Sequence, residues 1–316
     1  MTAKGFVSVK DTRDVVGQEY WAKKGDVDLF LYRKVCPAVG KDGARPVLFL
    51  VHGSSQAART SYDLAGPGDD EYSVMNVFAK WGYDVWTMDH EGYGRSSRTP
   101  GFSYIRDGAE DLKAAMPVVQ EATGQSCFAF FGTSSGALRA GAFHNAAPQW
   151  VSKLALAAFP WTGKDAPSLI KRRERLAEWQ ATNRREVGEE YFRNMFTRDV
   201  VGLTAPDLPA AAAKAEMANG GGSVPNGTYV DMCINLPLVD PSKIDCPVLI
   251  IRGDHDGITT DADNAAFYAA LPTKDKIMVT ISGQAHNMTV GLNRHRFWYV
   301  LRSFLEMPER VDGGVV

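Results

Sequence analysis

Two kinds of apolar pattern alternate along most of the chain. Short, mostly apolar runs are typical of strands buried on both faces, and apolar residues spaced three or four apart are typical of one face of a helix. The run Val47–Val51 is followed by such a helical face, made by Val74, Val77, Phe78 and Trp81. Further strand-like runs, mostly apolar, lie at residues 83–88, 128–131, 153–158, 247–251 and 277–281.

The order of these elements predicts the architecture. Residues 18–23 and 27–35, separated by a Lys-Gly-Asp turn, are typical of a hairpin near the start of the chain. From residue 47 onward strands and helices alternate, and this order favours right-handed crossovers. We therefore predict an α/β protein with a mostly parallel central sheet and helices on both faces.

The alternation is interrupted between residues 160 and 241. This stretch carries charged helical sequence and the glycine triplet at 220–222. Ile170, Arg173, Ala177 and Gln180 do not form a convincing buried stripe, so we expect part of the stretch to be solvated helix and the glycines to act as flexible joints. The predicted organisation is a core of residues 1–159 and 242–316, with a mainly helical cap of residues 160–241 inserted after the sixth strand.

Composition narrows the classes of function. The chain has 316 residues, of which 45% are hydrophobic and 23% are charged, as in an ordinary soluble globular protein. Its 35 basic and 37 acidic residues give a formal net charge of −2, which gives no reason to expect a nucleic-acid partner.

Targeting, metal and cofactor signals are missing from the sequence. It has no apolar stretch of about 18 residues that could span a membrane, and its N-terminus lacks the apolar core of a secretory signal. The four cysteines are scattered and form no C-x-x-C pair, so we expect reduced thiols, no metal site and a cytoplasmic protein without a membrane partner. Gly92-x-Gly94 lacks the third glycine of a dinucleotide fingerprint, and no cofactor is expected.

A turn with two glycines and two serines joins the run at 128–131 to an alanine-rich helix. Its sequence, Gly132-Thr133-Ser134-Ser135-Gly136, has the G-x-S-x-G spacing of a nucleophile elbow and the strand-to-helix context that this motif requires. The pattern alone is weak, because an ordinary strand–helix turn can have the same composition.

An acid and a histidine follow two later strands. Open α/β sheets bind ligands at the carboxyl ends of their strands. Asp256 lies after the run at 247–251, and His286 lies after the run at 277–281. With Ser134 they give the order Ser…Asp…His, which is associated with the strand–elbow–helix arrangement. The three placements together indicate a nucleophile, an acid and a base.

Five segments make the chain similar to the α/β-hydrolase superfamily, and specifically to its capped, carboxylesterase-like serine hydrolases. The resemblance covers about residues 47–158 and 247–305 and leaves the cap unmatched. The segments resemble, in chain order, the His-Gly oxyanion segment, the D-x-x-G-x-G-x-S stretch, the elbow, the acid turn and the histidine turn, and they lie at residues 51–55, 89–96, 132–137, 252–260 and 283–288.

The resemblance implies a catalytic triad. Ser134 would be the nucleophile and His286 the base, since an imidazole with a pKa near ~6.5 suits proton transfer at neutral pH. Asp256 would hold the imidazole tautomer and stabilise the imidazolium. Asp254 lies two residues away as the alternative acid, but the G-x-x-D spacing counted from Gly253 favours Asp256.

Further residues are expected around the triad. The backbone N–H groups of Ser54 and Ser135 would donate to the oxyanion. We expect Phe159, Trp161 and Met288 to line the substrate pocket, although aromatic residues after a core strand are as often part of the packing.

The implied function is hydrolysis of a carboxylic ester through an acyl-enzyme, with a small to medium, partly aromatic or hydrophobic substrate as the partner. Hydrolysis of a lactone, an amide or a carbon–carbon bond, and cofactor-free haloperoxidase chemistry, would use the same triad and stay open. A receptor that binds its ligand covalently and hydrolyses it slowly is the alternative from outside the ordinary enzymes. Oligomeric state also stays open, a homo-oligomer included.

Overall fold

The computed structural model describes residues 13–39, 44–68 and 71–311, so the N-terminal stretch examined for a signal lies largely outside the described residues. Eight strands form one sheet: Val16–Lys24 (β1), Val27–Val35 (β2), Val47–Val51 (β3), Asp84–Met88 (β4), Phe128–Thr133 (β5), Val151–Ala157 (β6), Val248–Gly253 (β9) and Lys276–Ile281 (β10). Their order in the sheet is β1-β2-β4-β3-β5-β6-β9-β10. β1 pairs antiparallel with β2, β2 pairs antiparallel with β4, and the other neighbours are parallel.

Helices cover both faces of this sheet, which confirms the predicted fold class. Residues of β3 alternate between the two faces: Phe49 packs in one apolar cluster and Leu50 in the other. The cluster of Phe49 includes residues of α3, α4 and α10, and the cluster of Leu50 includes residues of α2 and α11. The helices of the core are Ala58–Tyr62 (α1), Val74–Lys80 (α2), Ile105–Thr123 (α3), Ser135–Ala146 (α4), Asp261–Ala270 (α10) and Arg294–Leu305 (α11).

The segment between β6 and β9, which we call the cap, contains five helices and a small sheet that the sequence pattern did not predict. Strands β7 and β8 pair antiparallel. Phe192 and Phe196 of the cap pack in one apolar cluster with Tyr93 of the core. The elements are Pro167–Arg173 (α5), Leu176–Ala181 (α6), Arg184–Glu186 (β7), Glu189–Thr197 (α7), Leu208–Ala218 (α8), Ser223–Pro225 (β8) and Gly227–Ile234 (α9).

The glycine triplet after α8 forms a tight turn against the core, where a flexible joint was expected. Gly220 has a φ of 83°, and a Cβ added to it would lie 2.6 Å from the carbonyl oxygen of Gly94. Arg98 also donates a hydrogen bond to the carbonyl of Gly220. Glycine at position 220 therefore permits close contact between cap and core.

A buried glutamate joins the cap to the core near this turn. The Glu216 carboxylate accepts a hydrogen bond of 2.9 Å from the Ala57 N–H just before α1, and the side chain is fully buried. Burial raises the pKa of Glu216 from 4.5 to about 7, and the nearby carboxylate of Asp89 adds to the rise. The core–cap contact therefore contains a carboxyl group that gains a proton on folding in weakly acidic solution.

Among the described residues, no helix combines the length and the apolar character needed to cross a bilayer.

We expect Glu216→Gln to stabilise the protein more at about pH 8 than at about pH 5. The raised pKa means that the contribution of Glu216 to stability is present below 4.5 and is lost as pH rises through about 7. The amide keeps an acceptor for Ala57 and never ionises, so it avoids this loss. The gain at the higher pH should be at most on the order of 3 kcal/mol.

The measurement is thermal unfolding of wild type and variant at both pH values. Glu190→Gln, at an exposed position of the cap, is the control and should show no difference between the two pH values. An equal change in Tm at both pH values for Glu216→Gln would contradict the prediction, because it would mean that folding does not favour the protonated form of Glu216.

Candidate active site

The turn after β5 holds Ser134 in a conformation that non-glycine residues seldom adopt. Its φ is 57° and its ψ is −125°, and its N–H donates to the carbonyl of Ala157 at 2.8 Å. A Cβ on Gly132 would collide with the carbonyl of Gly136, and a Cβ on Gly136 would collide with the carbonyl of Val51. Glycine is required at both positions because the backbone segments approach so closely. The motif thus has the strained strand-to-helix geometry of a nucleophile elbow.

The structure pairs the predicted base with the predicted acid. His286, in the turn after β10, makes a hydrogen bond of 3.0 Å through Nδ1 to Oδ1 of Asp256, in the turn after β9. Asp256 is 3% exposed, and the same oxygen accepts from the Ile258 N–H at 2.8 Å. With Nδ1 donating to the carboxylate, Nε2 is the nitrogen left to accept a proton.

Asp254, the alternative acid, binds backbone N–H groups of the turn after β10. The two carboxylate oxygens of Asp254 accept hydrogen bonds of 3.1 Å from the N–H groups of Gly283 and Gln284. Asp254 therefore supports the turn that carries His286 and does not bind its imidazole. This geometry favours Asp256 as the acid, as the motif spacing does.

Buried histidines fix the loop that carries Ser54. Nδ1 of His52 lies 2.7 Å from the carbonyl oxygen of Gly53, and its Nε2 accepts from the His90 N–H at 3.1 Å. Burial lowers the pKa of His52 well below its usual value, so the ring is neutral and Nδ1 is its donor. A Cβ placed on Gly53 would lie 3.6 Å from Cβ of Ser134, which shows how close this loop comes to the elbow.

Both predicted oxyanion donors lie beside Ser134. Ser54 lines the same cavity as Ser134 and His286, and Ser135 is the first residue of α4. The N-terminus of a helix carries partial positive charge, which favours an anion there. Their role as oxyanion donors stays a prediction.

All three predicted pocket residues lie elsewhere. Phe159 is fully buried and its ring packs edge-on against Phe267, with ring centroids 4.7 Å apart. Trp161 also contacts Phe267 and donates through Nε1 to the carbonyl of Val239 at 3.1 Å. Met288 is fully buried in the apolar cluster under α11. None of the three is among the described residues that line the cavity above Ser134, so the packing alternative holds for them.

The cavity has a polar lining that the sequence analysis missed. From the cap come Arg172 of α5, Met195 of α7, Arg198 after α7, and Tyr229 of α9. The core contributes, besides the residues already named, Ser55, Gln56, Ser61, Thr133, Asn287, Thr289 and Val290. We predicted solvated helix for part of this cap sequence, and no periodic pattern distinguished arginines directed at the site from those in water.

The described part of the chain contains no group of three or more His, Cys, Asp or Glu side chains placed to hold a metal ion.

The sheet order and its helical layers are those of an α/β hydrolase, and solved hydrolase structures superpose on most of the chain. A 2-hydroxy-6-oxo-6-phenylhexa-2,4-dienoate hydrolase from Rhodococcus sp. strain RHA1 is 16% identical, with a TM-score of 0.69 over 93% of this chain and 100% of that chain. A thermophilic esterase from Thermogutta terrifontis is 18% identical, with a TM-score of 0.63 over 91% and 98%. A membrane phospholipase A, described as a bacterial virulence factor, is 18% identical, with a TM-score of 0.66 over 92% and 86%. At these identities the likeness concerns the fold.

Residues 44–292 match the model of the hydrolase family described as serine aminopeptidase, S33. The match covers most of the chain, and the chain belongs to this family within the α/β-hydrolase superfamily. No curated protein sequence matches the chain. The protein is therefore a hydrolase, which confirms the superfamily expected from the motifs and leaves the bond and substrate to be inferred.

We expect Asp256→Asn to lower kcat by about 10⁴ on an activated ester such as p-nitrophenyl acetate. The amide in place of the carboxylate favours the imidazole tautomer whose Nε2 cannot accept a proton. Asp254→Asn is the matched control, since it removes the same charge two residues away, and its kcat should fall by less than about tenfold. The reverse ranking would assign the acid to Asp254.

Proposed function

We propose that the protein is a serine hydrolase that cleaves carboxylic esters of small molecules through an acyl-enzyme. The observation that carries the proposal is the convergence of Ser134, in its strained turn, and the Asp256–His286 pair on one cavity. A serine hydroxyl is a weak nucleophile until a positioned base takes its proton, and the base must in turn be oriented by a third group. Ser134, His286 and Asp256 are the candidates for these three parts, in the chain order Ser…Asp…His.

The proposed reaction has two halves. Ser134 Oγ attacks the carbonyl carbon while Nε2 of His286 takes its proton, and the N–H groups of Ser54 and Ser135 stabilise the oxyanion. The carbon–oxygen bond of the ester then breaks, and His286 returns the proton to the leaving alcohol. In the second half a water molecule attacks the acyl carbonyl carbon while Nε2 of His286 takes its proton. The bond between the acyl carbon and Ser134 Oγ then breaks, and His286 returns the proton to Oγ as the acid is released.

The charges around the cavity disfavour an aminopeptidase reaction, although the family is described by that activity. An aminopeptidase must hold the ammonium group of its substrate, for which a carboxylate is the strong partner. The described residues lining the cavity include Arg172 and Arg198 and no aspartate or glutamate. The polar lining also makes the substrate less hydrophobic than we expected from Phe159, Trp161 and Met288.

The cap is proposed to enclose the substrate. Arg172, Met195, Arg198 and Tyr229 line the cavity from the cap side, opposite the catalytic residues of the core. Enclosure excludes water and limits substrate size, so a small-molecule ester is favoured over a polymer or a lipid surface. Lactone, amide and carbon–carbon bond hydrolysis remain alternatives that use the same residues.

We expect Ser134→Ala to lower kcat by about 10⁴ or more on p-nitrophenyl esters while substrate binding is largely kept, because loss of the nucleophile leaves only binding and oxyanion stabilisation. A fluorophosphonate should label wild type and Ser135→Ala, and it should not label Ser134→Ala. Labelling that survives in Ser134→Ala and disappears in Ser135→Ala would assign the nucleophile to Ser135. The same assays with a lactone and an amide test the choice of bond.

A further inference from the structure

The cap brings more arginine charge to the cavity than its acids neutralise. Arg198 forms two hydrogen bonds with the carboxylate of Asp199, of 2.9 and 3.1 Å, so this pair carries little net charge. Arg172 also lines the cavity, and Arg185 lies behind Tyr229. Among the described residues, neither Arg172 nor Arg185 has a carboxylate oxygen within 4.0 Å, the reach of an ion pair. Within the described part of the chain, these two guanidinium groups are therefore left without a carboxylate partner.

These two guanidinium groups lie close to the ring of Tyr229. The Cζ atom of Arg172 is 3.6 Å from the ring centroid, and that of Arg185 is 3.7 Å from it. Arg185 donates to neutral acceptors, the carbonyls of Ser54 and Pro225 among them. Arg172 has a weaker contact, 3.6 Å from Nη1 to the thioether sulfur of Met232. Of the two, Arg172 is the arginine that lines the cavity and retains hydrogen-bond donors for a ligand.

Partly buried guanidinium groups without a counter-ion are unfavourable, because a cation removed from water needs a charged partner or several strong acceptors. An aromatic ring face is a weaker partner than a carboxylate. Burial alone would raise the pKa of Tyr229, yet the charges of Arg185 and Arg172 lower it to about 6. An ionised Tyr229 offsets one guanidinium charge, and the two arginines still exceed it by one positive charge, which favours an anion at this side of the cavity.

We propose that the substrate is an ester that also carries a carboxylate, and that this carboxylate binds to the guanidinium of Arg172 beside Tyr229. This inference rests on the ester hydrolysis proposed above and names its substrate class. The planar guanidinium matches a carboxylate with two parallel hydrogen bonds, which fixes the direction of the ligand as well as its charge. The ester carbonyl would then face Ser134 from the opposite end of the molecule.

The test compares two esters that differ in charge. p-Nitrophenyl hydrogen glutarate and p-nitrophenyl pentanoate have the same leaving group and acyl chains of equal carbon number, and one chain ends in a carboxylate. Wild type should show a kcat/KM at least about tenfold higher for the glutarate ester. Arg172→Gln should lower this ratio by about 10- to 100-fold, mainly through KM.

Two further variants separate specific binding from general electrostatics. Lys171→Gln removes one positive charge from an exposed neighbouring position of α5 and should leave the ratio unchanged. Arg172→Lys keeps the charge without the planar fork and should keep part of the ratio. Thermal unfolding of each variant shows whether it is folded. A ratio near one in wild type, or an equal loss for both esters in Arg172→Gln, would overturn the inference.

A binding measurement distinguishes failure of this inference from failure of the proposed reaction. Monomethyl glutarate should bind to Ser134→Ala in calorimetry, and the double variant with Arg172→Gln should bind it at least about tenfold more weakly. Absence of hydrolysis of both esters by wild type would overturn ester hydrolysis, and retained binding at Arg172 would still support an anionic ligand. Equal binding to both variants would overturn the carboxylate site itself.

Discussion

The close approach of three backbone segments at the elbow is the constraint on which the rest of the site depends. A side chain on Gly136 would strike the carbonyl of Val51 at the end of β3, and one on Gly132 would strike Gly136 itself. Because these contacts leave no room, α4 begins directly beside the end of β3, and Ser134 is held at positive φ. The loop that starts at His52 continues from the same strand end, so Ser54 must emerge next to the nucleophile. One steric condition therefore positions both the serine and the loop expected to stabilise its oxyanion.

The core and the cap contribute different charged groups to the site. The core supplies a closed acid–base pair, since the carboxylate of Asp256 is engaged by His286 and by the Ile258 N–H. The cap supplies the arginines, and the carboxylate of its Asp199 is engaged by Arg198. The residues predicted to carry the chemistry thus lie at the carboxyl edge of the sheet, whereas the arginines proposed to bind the charge of the substrate lie in the inserted segment. This division explains how one fold can serve many substrates.

The fold was predictable from the sequence because apolar periodicity determines which faces of a strand or a helix can be buried. Strand-like and helix-like apolar patterns that alternate along the chain are compatible with few topologies. The position of Ser134 was predicted from the G-x-S-x-G spacing, whose glycines the close backbone approach requires, and Asp256 was preferred to Asp254 on the G-x-x-D spacing of the family that the chain resembles. The pocket was not predictable in this way. Phe159 and Met288 follow core strands, where an apolar residue fits the interior as well as a pocket, and both are in the interior. Arg172 lies in helical sequence whose charged residues give no periodic signal, and only tertiary packing directs its side chain inward.

Three of the hydrogen bonds between cap and core fall within four residues of the loop that carries Ser54. Arg185 donates to the carbonyl of Ser54, the Tyr191 hydroxyl lies 2.7 Å from that of Ser55, and Glu216 accepts from the Ala57 N–H. The residue that tethers Ser54 also contacts the ring of Tyr229, which lines the substrate cavity. The position of the cap and the geometry of the oxyanion loop are therefore not independent. The arginine that holds the carbonyl of Ser54 is thus also one of the two guanidinium groups packed on Tyr229, so a continuous set of contacts connects the cap side of the cavity with the loop beside the nucleophile.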